Sequence, residues 1–197
     1  MPRYVLTGTP GAGKTAILRL LELAGYQVVE EAATDVIAIE HALGRQEPWR
    51  SPGFADAIVT LQRRREELVA GACGGGSGNT IFLDRSPVCT LALSRHLGSQ
   101  ASAVLTAEVD RVVAERPYAA VFFVRNLGRV EPTAARRITF EDSLAFEEVH
   151  ERTYRELGFE PIDVPAGPLS WRVGVVCAAA GLPVPELGPI RRRHPGL

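Results

Sequence analysis

Arg3-Tyr4-Val5-Leu6-Thr7-Gly8-Thr9-Pro10-Gly11-Ala12-Gly13-Lys14-Thr15-Ala16 is the stretch on which the reading of the whole chain turns. A short apolar run enters a glycine-rich turn, and strong helix formers follow from Ala16 to Leu23, which gives strand, loop, helix. Gly8 to Thr15 carries the spacing G-x-x-x-x-G-K-T. Its glycines let backbone N–H groups turn inward on phosphate oxygens while the following helix offers its positive end to the same point. Lys14 adds a movable charge, and Thr15 a hydroxyl ligand for Mg²⁺. Gly8, Thr9, Pro10, Gly11, Ala12, Gly13, Lys14, Thr15 and Ala16 are thus the expected cradle for the phosphates of an NTP.

Composition sharpens that assignment. Lys14 is the sole lysine among 22 basic residues; every other one is arginine. Arginine substitutes readily for lysine on a solvated surface, but a planar guanidinium does not replace a compact ammonium folded over a loop. Lys14 is therefore kept for its chemistry. With 197 residues, 46% hydrophobic and 23% charged, the chain suits one compact domain at residues 1–180, with a Pro/Arg-rich tail at 181–197. A net charge of -1 gives no electrostatic case for nucleic acid or an anionic membrane. The N-terminal apolar stretch is too short for a signal peptide or a span, so the expected compartment is cytoplasmic. Oligomeric state leaves no signal.

Downstream, strands and helices alternate. Gln27-Val28-Val29 reads as a strand delivering Glu30 and Glu31, and helices are expected over Ala32 to Leu43 and Phe54 to Ala72. Gly74-Gly75-Gly76-Ser77-Gly78 reads as a flexible connector. Thr80-Ile81-Phe82-Leu83 is a buried strand ending at Asp84, and Ala119 to Val124 another, its unbroken apolar run implying cover on both faces. Helices are expected at Pro87 to Leu97, Ala101 to Glu115, Phe140 to Leu157 and Leu169 to Ala180, with a final strand at Glu160 to Val164. This βα alternation predicts a parallel five-stranded sheet flanked by helices, with ligands at the strands' carboxyl ends, where Glu31, Asp84 and Arg125 fall.

Two further elements carry chemistry. Ile81-Phe82-Leu83-Asp84 places a carboxylate at a strand tip, the position that organises a metal's water shell beside a phosphate loop, so Thr15 and Asp84 form the expected Mg²⁺ pair. Arg129, Arg136 and Arg137 lie on an irregular segment after the fourth strand, where a lid brings guanidinium groups onto a transferring phosphate. Cys73, Cys89 and Cys177 are widely spaced and read as free thiols, and the four histidines show no metal-ligand spacing.

With these elements in order, the chain from about Arg3 to Ala180 resembles a family of small stand-alone P-loop proteins labelled AAA-domain ATPases, which look like nucleoside and nucleotide kinases. It is more distantly similar to the ribosylnicotinamide kinase domain of bacterial NAD regulators. The resemblance implies an α/β P-loop NTPase fold, nucleotide-kinase-like with a lid segment. In it Val29 to Ala33 matches the acidic element after the second strand, Trp49 to Gln62 a substrate-side helix, Arg136-Arg137 the lid, and Gly167 to Trp171 the loop bordering the nucleotide base. Asp84-Arg85-Ser86 is similar to the acid-Arg-Ser element of deoxynucleoside kinases, which implies a base or metal organiser at Asp84 and a phosphate-supporting arginine at Arg85. The Gly74 to Gly78 insertion and the tail depart from the family pattern.

The expectation is a small-molecule kinase using ATP and Mg²⁺ on an unidentified acceptor held near Glu31, Gln62 and Arg85, with Glu31 or Asp84 taking the acceptor proton. The alternative is a regulatory switch with slow NTPase activity that acts through a protein partner. Arg125-Asn126-Leu127-Gly128 lacks the lysine and aspartate of a guanine-recognition signal, which leans the base choice to ATP.

Overall fold

Alternation along the strands builds two cores on opposite faces of one sheet. In the first strand, β1 (Arg3–Thr7), Tyr4 and Leu6 face one way and Val5 the other, as the two-residue period of a strand requires. The computed structural model describes residues 1–72, 80–128 and 139–186. Its sheet is parallel throughout, in the order β2-β3-β1-β4-β5, with β2 (Gln27–Val29), β3 (Ile81–Asp84), β4 (Ala120–Val124) and β5 (Ile162–Val164).

Helices α1 (Lys14–Leu23) and α7 (Leu169–Ala180) cover one face, where Ile17, Leu18 and Leu21 meet Val173, Val176 and Cys177 over Leu6, Phe82 and Phe122. The other face is covered by helices that include α4 (Pro87–His96), α5 (Ala103–Glu115) and α6 (Phe140–Glu156), with Val88, Val112 and Tyr154 packed on Val5, Leu83 and Val121. Both sheet faces are dry, which explains the unbroken apolar runs of β3 and β4. α2 (Ala33–Ala42) and α3 (Phe54–Ala72) complete the crossover from β2 to β3, and their buried residues Val36, Phe54 and Ile58 form a satellite core beside the sheet edge.

Ends of elements differ from the sequence expectation for local reasons. α5 starts at Ala103 because the Ser102 hydroxyl caps it, accepting the Leu105 N–H at 3.1 Å. β5 begins only at Ile162, since Pro161 has no N–H for the ladder. Between α2 and α3 the chain makes a 3₁₀ turn at Pro48–Arg50. Cys89 and Cys177 are buried free thiols; Cys73, the Gly74 to Gly78 connector and residues 187–197 of the tail lie outside the described residues. Among the described residues no helix is long and apolar enough to cross a membrane.

Glu66 of α3 is a buried carboxylate, 5% exposed, with the Arg3 guanidinium 3.9 Å away. Burial pushes its carboxyl up to about 7 from an ordinary 4.5, more than Arg3 pulls it down. The folded chain then holds the proton more tightly than the unfolded chain, so native stability is fully present below about pH 4.5 and declines as pH rises through about 7. Glu66→Gln should abolish this decline, leaving the variant more stable than wild type at pH 8 by about 3 kcal/mol and nearly equal to it at pH 4.5. Thermal melts of both proteins across this range check the prediction.

Candidate active site

The site begins where β1 ends. Gly8 adopts φ 128°, and a Cβ there would lie 2.3 Å from the Val124 carbonyl oxygen, so only glycine lets the chain turn under the end of β4. The loop continues through Gly11 and Gly13, also in the left-handed region, and Gly13 begins α1 without any side-chain cap. The first amides of α1 consequently keep donors free for an anion.

Lys14 is the first residue of that helix and is 5% exposed, not the partly exposed lysine of an open loop. Its Nζ donates to the Gly8 and Thr9 carbonyls at 3.0 and 2.9 Å, which satisfies an ammonium otherwise stripped of water. Burial and then the neighbouring Arg85 charge lower it to about 8.

The parallel register pairs Leu6 of β1 with Asp84 of β3, so Asp84 emerges beside the loop. Thr15 Oγ1 donates to Asp84 Oδ2 at 3.0 Å, while Oδ1 is buried without a partner among the described residues. Burial raises the Asp84 carboxyl despite the Lys14 charge nearby. A hydroxyl and a carboxylate with a spare oxygen make an all-oxygen donor pair, which suits a hard cation that keeps waters and phosphate oxygens in its remaining positions.

Arg85 follows at φ 75°, a left-handed conformation that an arginine adopts at some cost, held by its N–H to the Leu6 carbonyl at 3.0 Å. The turn swings its guanidinium under the loop, where Nη1 reaches the Gly8 carbonyl at 3.3 Å and Nε donates to Glu31. Burial opposes charge on Glu31, yet Arg85 and Lys14 outweigh it, so Glu31 stays below the usual carboxylate range. Ser86 caps α4 and its hydroxyl lies 2.7 Å from that of buried Tyr154, which anchors the turn from the α6 side.

A cleft of about 600 Å³ opens directly from this cluster. Gly11, Gly13, Lys14, Thr15, Glu31 and Arg85 form its polar end; Ile37, Trp49, Phe54, Ile58, Leu93 and Phe146 form apolar walls. Gln62 lines it too, its Oε1 engaged by the Ala32 N–H at 3.1 Å and its Nε2 buried without a partner among the described residues. Sequence reasoning reached Trp49 and Gln62, whereas Phe146 and the His96 and Asp142 side chains at the far end come from distant elements with no local signal.

Other expected residues fall elsewhere. Arg125 stands at the carboxyl end of β4, but its guanidinium is enclosed by Glu147 at 3.4 Å and by Glu151 and Asp163 at 2.6 Å, over the Phe123 ring. Gly167 sits between β5 and α7, where a Cβ would lie 2.9 Å from the Trp171 ring. Arg129, Arg136 and Arg137 lie outside the described residues. Arg172 was not anticipated: it is buried beneath the loop, donating to the Ala12 carbonyl at 2.6 Å. Its one signal in the sequence is that it is the lone charged residue of α7.

Comparison with known proteins agrees with this fold. A family described as an AAA domain matches residues 3–172. The NadR protein in complex with NAD and AMP-PNP superposes with a TM-score of 0.69 at 16% identity, over 95% of this chain and 51% of that one. Deoxyadenosine kinase from M. mycoides, with products dCMP and a flexible dCDP bound, superposes with a TM-score of 0.59 at 15% identity, over 91% of this chain and 98% of that one. The same enzyme with bound dATP gives 0.57 at 16% identity over 92% and 100%. At such identities the likeness establishes the fold, and this chain spans about half the length of the NadR protein. No curated protein matches the sequence significantly.

Because the Gly8 turn tolerates no Cβ, Gly8→Ala should destabilise the fold by roughly 3 kcal/mol or more. Equilibrium urea unfolding measures this. A variant within about 0.5 kcal/mol of wild type would refute the close approach to Val124.

Proposed function

The chain belongs to the AAA-domain family of P-loop proteins, and from that premise we propose that it is a small-molecule kinase, transferring the γ-phosphate of ATP to an acceptor of about nucleoside size. The observation that carries this reading is the enclosed, largely apolar cleft that opens onto the phosphate loop, with the Glu31–Arg85 pair between them. A loop that handed its γ-phosphate only to water would need no such chamber. Apolar and aromatic walls with the Gln62 Nε2, which has no partner among the described residues, suit a planar, uncharged body, and the polar end suits its hydroxyl.

In this mechanism the loop amides, Lys14 and the start of α1 bind the phosphate chain, and Thr15 and Asp84 would hold Mg²⁺, which would supply charge neutralisation to the phosphates. Asp84 does not line the cleft and its Oδ2 is engaged by Thr15; Glu31 lines the cleft and stays ionised beside Arg85. Glu31 is therefore the better-placed base. The acceptor oxygen bonds to the γ-phosphorus, the bond to the β-phosphate oxygen breaks, and the hydroxyl proton passes to Glu31. A weakly basic carboxylate is sufficient, since catalysis of phosphoryl transfer rests on positioning and charge stabilisation. Arg85 steadies Glu31 and the loop, and Gly167 borders the base.

ADP formation should be measured with ATP·Mg²⁺ alone and with panels of nucleosides, nucleotides, sugars and aminoglycosides. One acceptor should raise turnover many-fold; slow turnover indifferent to every acceptor would sink the kinase reading. Lys14→Ala should lose nucleotide binding while its melting temperature moves by only a few degrees, because two lost hydrogen bonds are offset by removing a buried charge. For Asp84→Asn, nucleotide binding should survive while Mg²⁺-dependent turnover falls by roughly a hundredfold.

A further inference from the structure

Arg172 is the bulkiest of the fully buried side chains, and it belongs to neither the cleft nor the steps described above. Two carbonyls receive its guanidinium: Nη1 donates to Ala12 at 2.6 Å, across 160 positions of sequence, and Nη2 to Arg125 at 2.9 Å. Its Nε is buried without a partner among the described residues. No carboxylate among those residues pairs with it, and burial draws the guanidinium below its ordinary range. A buried cation opposed only by carbonyl dipoles is costly, so an arrangement that retains one needs a compensating gain.

The peptide that Arg172 grips explains the gain. The Ala12 carbonyl and the Gly13 N–H belong to one trans peptide unit and point in opposite directions. Drawing the oxygen toward α7 turns the N–H into the concave side of the loop, where phosphate oxygens are received. Gly13 makes the approach possible, since a Cβ there would lie 3.0 Å from Nη1. The same guanidinium leaves positive charge under the loop, and an anion within the loop is what offsets it.

We propose that Arg172 is a positioning residue for phosphate binding: it locks the Ala12–Gly13 peptide with its N–H facing the ligand and lends the loop a buried positive charge. This rests on the reading of Gly8 to Thr15 as a nucleotide cradle. Lys14 meets phosphate with its own side chain, whereas Arg172 acts through the backbone from the opposite side.

The test is calorimetric titration of the full chain with Mg²⁺·ADP and with Mg²⁺·pyrophosphate, in wild type, Arg172→Met and Arg172→Lys, with melting curves for each. Arg172→Met should weaken both ligands by at least about tenfold and by similar factors, because the lost interaction involves the phosphates. Arg172→Lys keeps the charge, but one ammonium cannot span both carbonyls, so it should recover only part of the affinity and remain about threefold or more weaker than wild type. If Arg172→Met does not fold, the lysine variant decides: wild-type affinity for both ligands overturns the proposal. So does a purely structural outcome, in which the fraction of competent sites falls but Kd stays at the wild-type value. A wild-type protein that binds neither ligand overturns the nucleotide reading and this inference together; binding that Arg172→Met leaves intact overturns this inference alone.

Discussion

The parallel pairing that sets Leu6 opposite Asp84, with Gly8 turning under the Val124 carbonyl, is the constraint on which the site depends. It brings the ends of β1, β3 and β4 to one point, so a loop, a carboxylate and an arginine turn meet although long stretches of chain separate them. Slipping the register by one residue would turn Asp84 into the opposite core and leave Thr15 without its acceptor. The dry packing on both sheet faces resists that slip, since Val5, Leu83 and Val121 would exchange cores with Leu6, Phe82 and Phe122. Packing of the core is thus what fixes the geometry of the chemistry.

Charge in the site is arranged in layers. Buried Lys14 and Asp84 meet half-buried Arg85 and Glu31 in one cluster, where each carboxylate's state is set by desolvation on one side and the two cations on the other. Glu31 stays ionised because the Arg85 guanidinium is in direct contact with it, whereas burial raises Asp84 despite the Lys14 charge and the Thr15 hydroxyl that it accepts from. Beneath them, Arg172 contributes a cation with no anionic partner among the described residues. The ligand-free site carries an excess of positive charge at its base, matched to a phosphate chain.

Much of this was legible in sequence, and the reason is local. Gly8, Gly13 and Lys14 are demanded by backbone geometry within eight residues, and β3 shows its burial in four consecutive apolar side chains ending at Asp84. Glu31 was readable as the acid at the tip of a short strand. What escaped were residues brought in by tertiary packing. Phe146 lies on a helix whose polar composition gave no hint that one ring would line the cleft, and Arg172 carries no motif; its burial comes from α7 lying against α1. Arg125 shows the converse: its position at a strand end was correct, but the carboxylates that enclose it come from α6 and β5, and no spacing rule brings those together. Burial of Lys14 was missed for the same reason, since its cover comes from Gly8, Thr9 and Arg85 folding over it.

That burial has a consequence for the chemistry of the protein's surface. Lys14 is the chain's only side-chain amine, and it is turned inward against two carbonyls. Arginine and carboxylates alone give the rest of the exterior its charge, so reagents and modifying enzymes that act on lysine find a single address, at the floor of the phosphate loop. Acylation at that address would erase the charge that meets the phosphates, and a bound phosphate chain would cover the amine in turn. For this protein, lysine reactivity and ligand occupancy are two readings of the same atom.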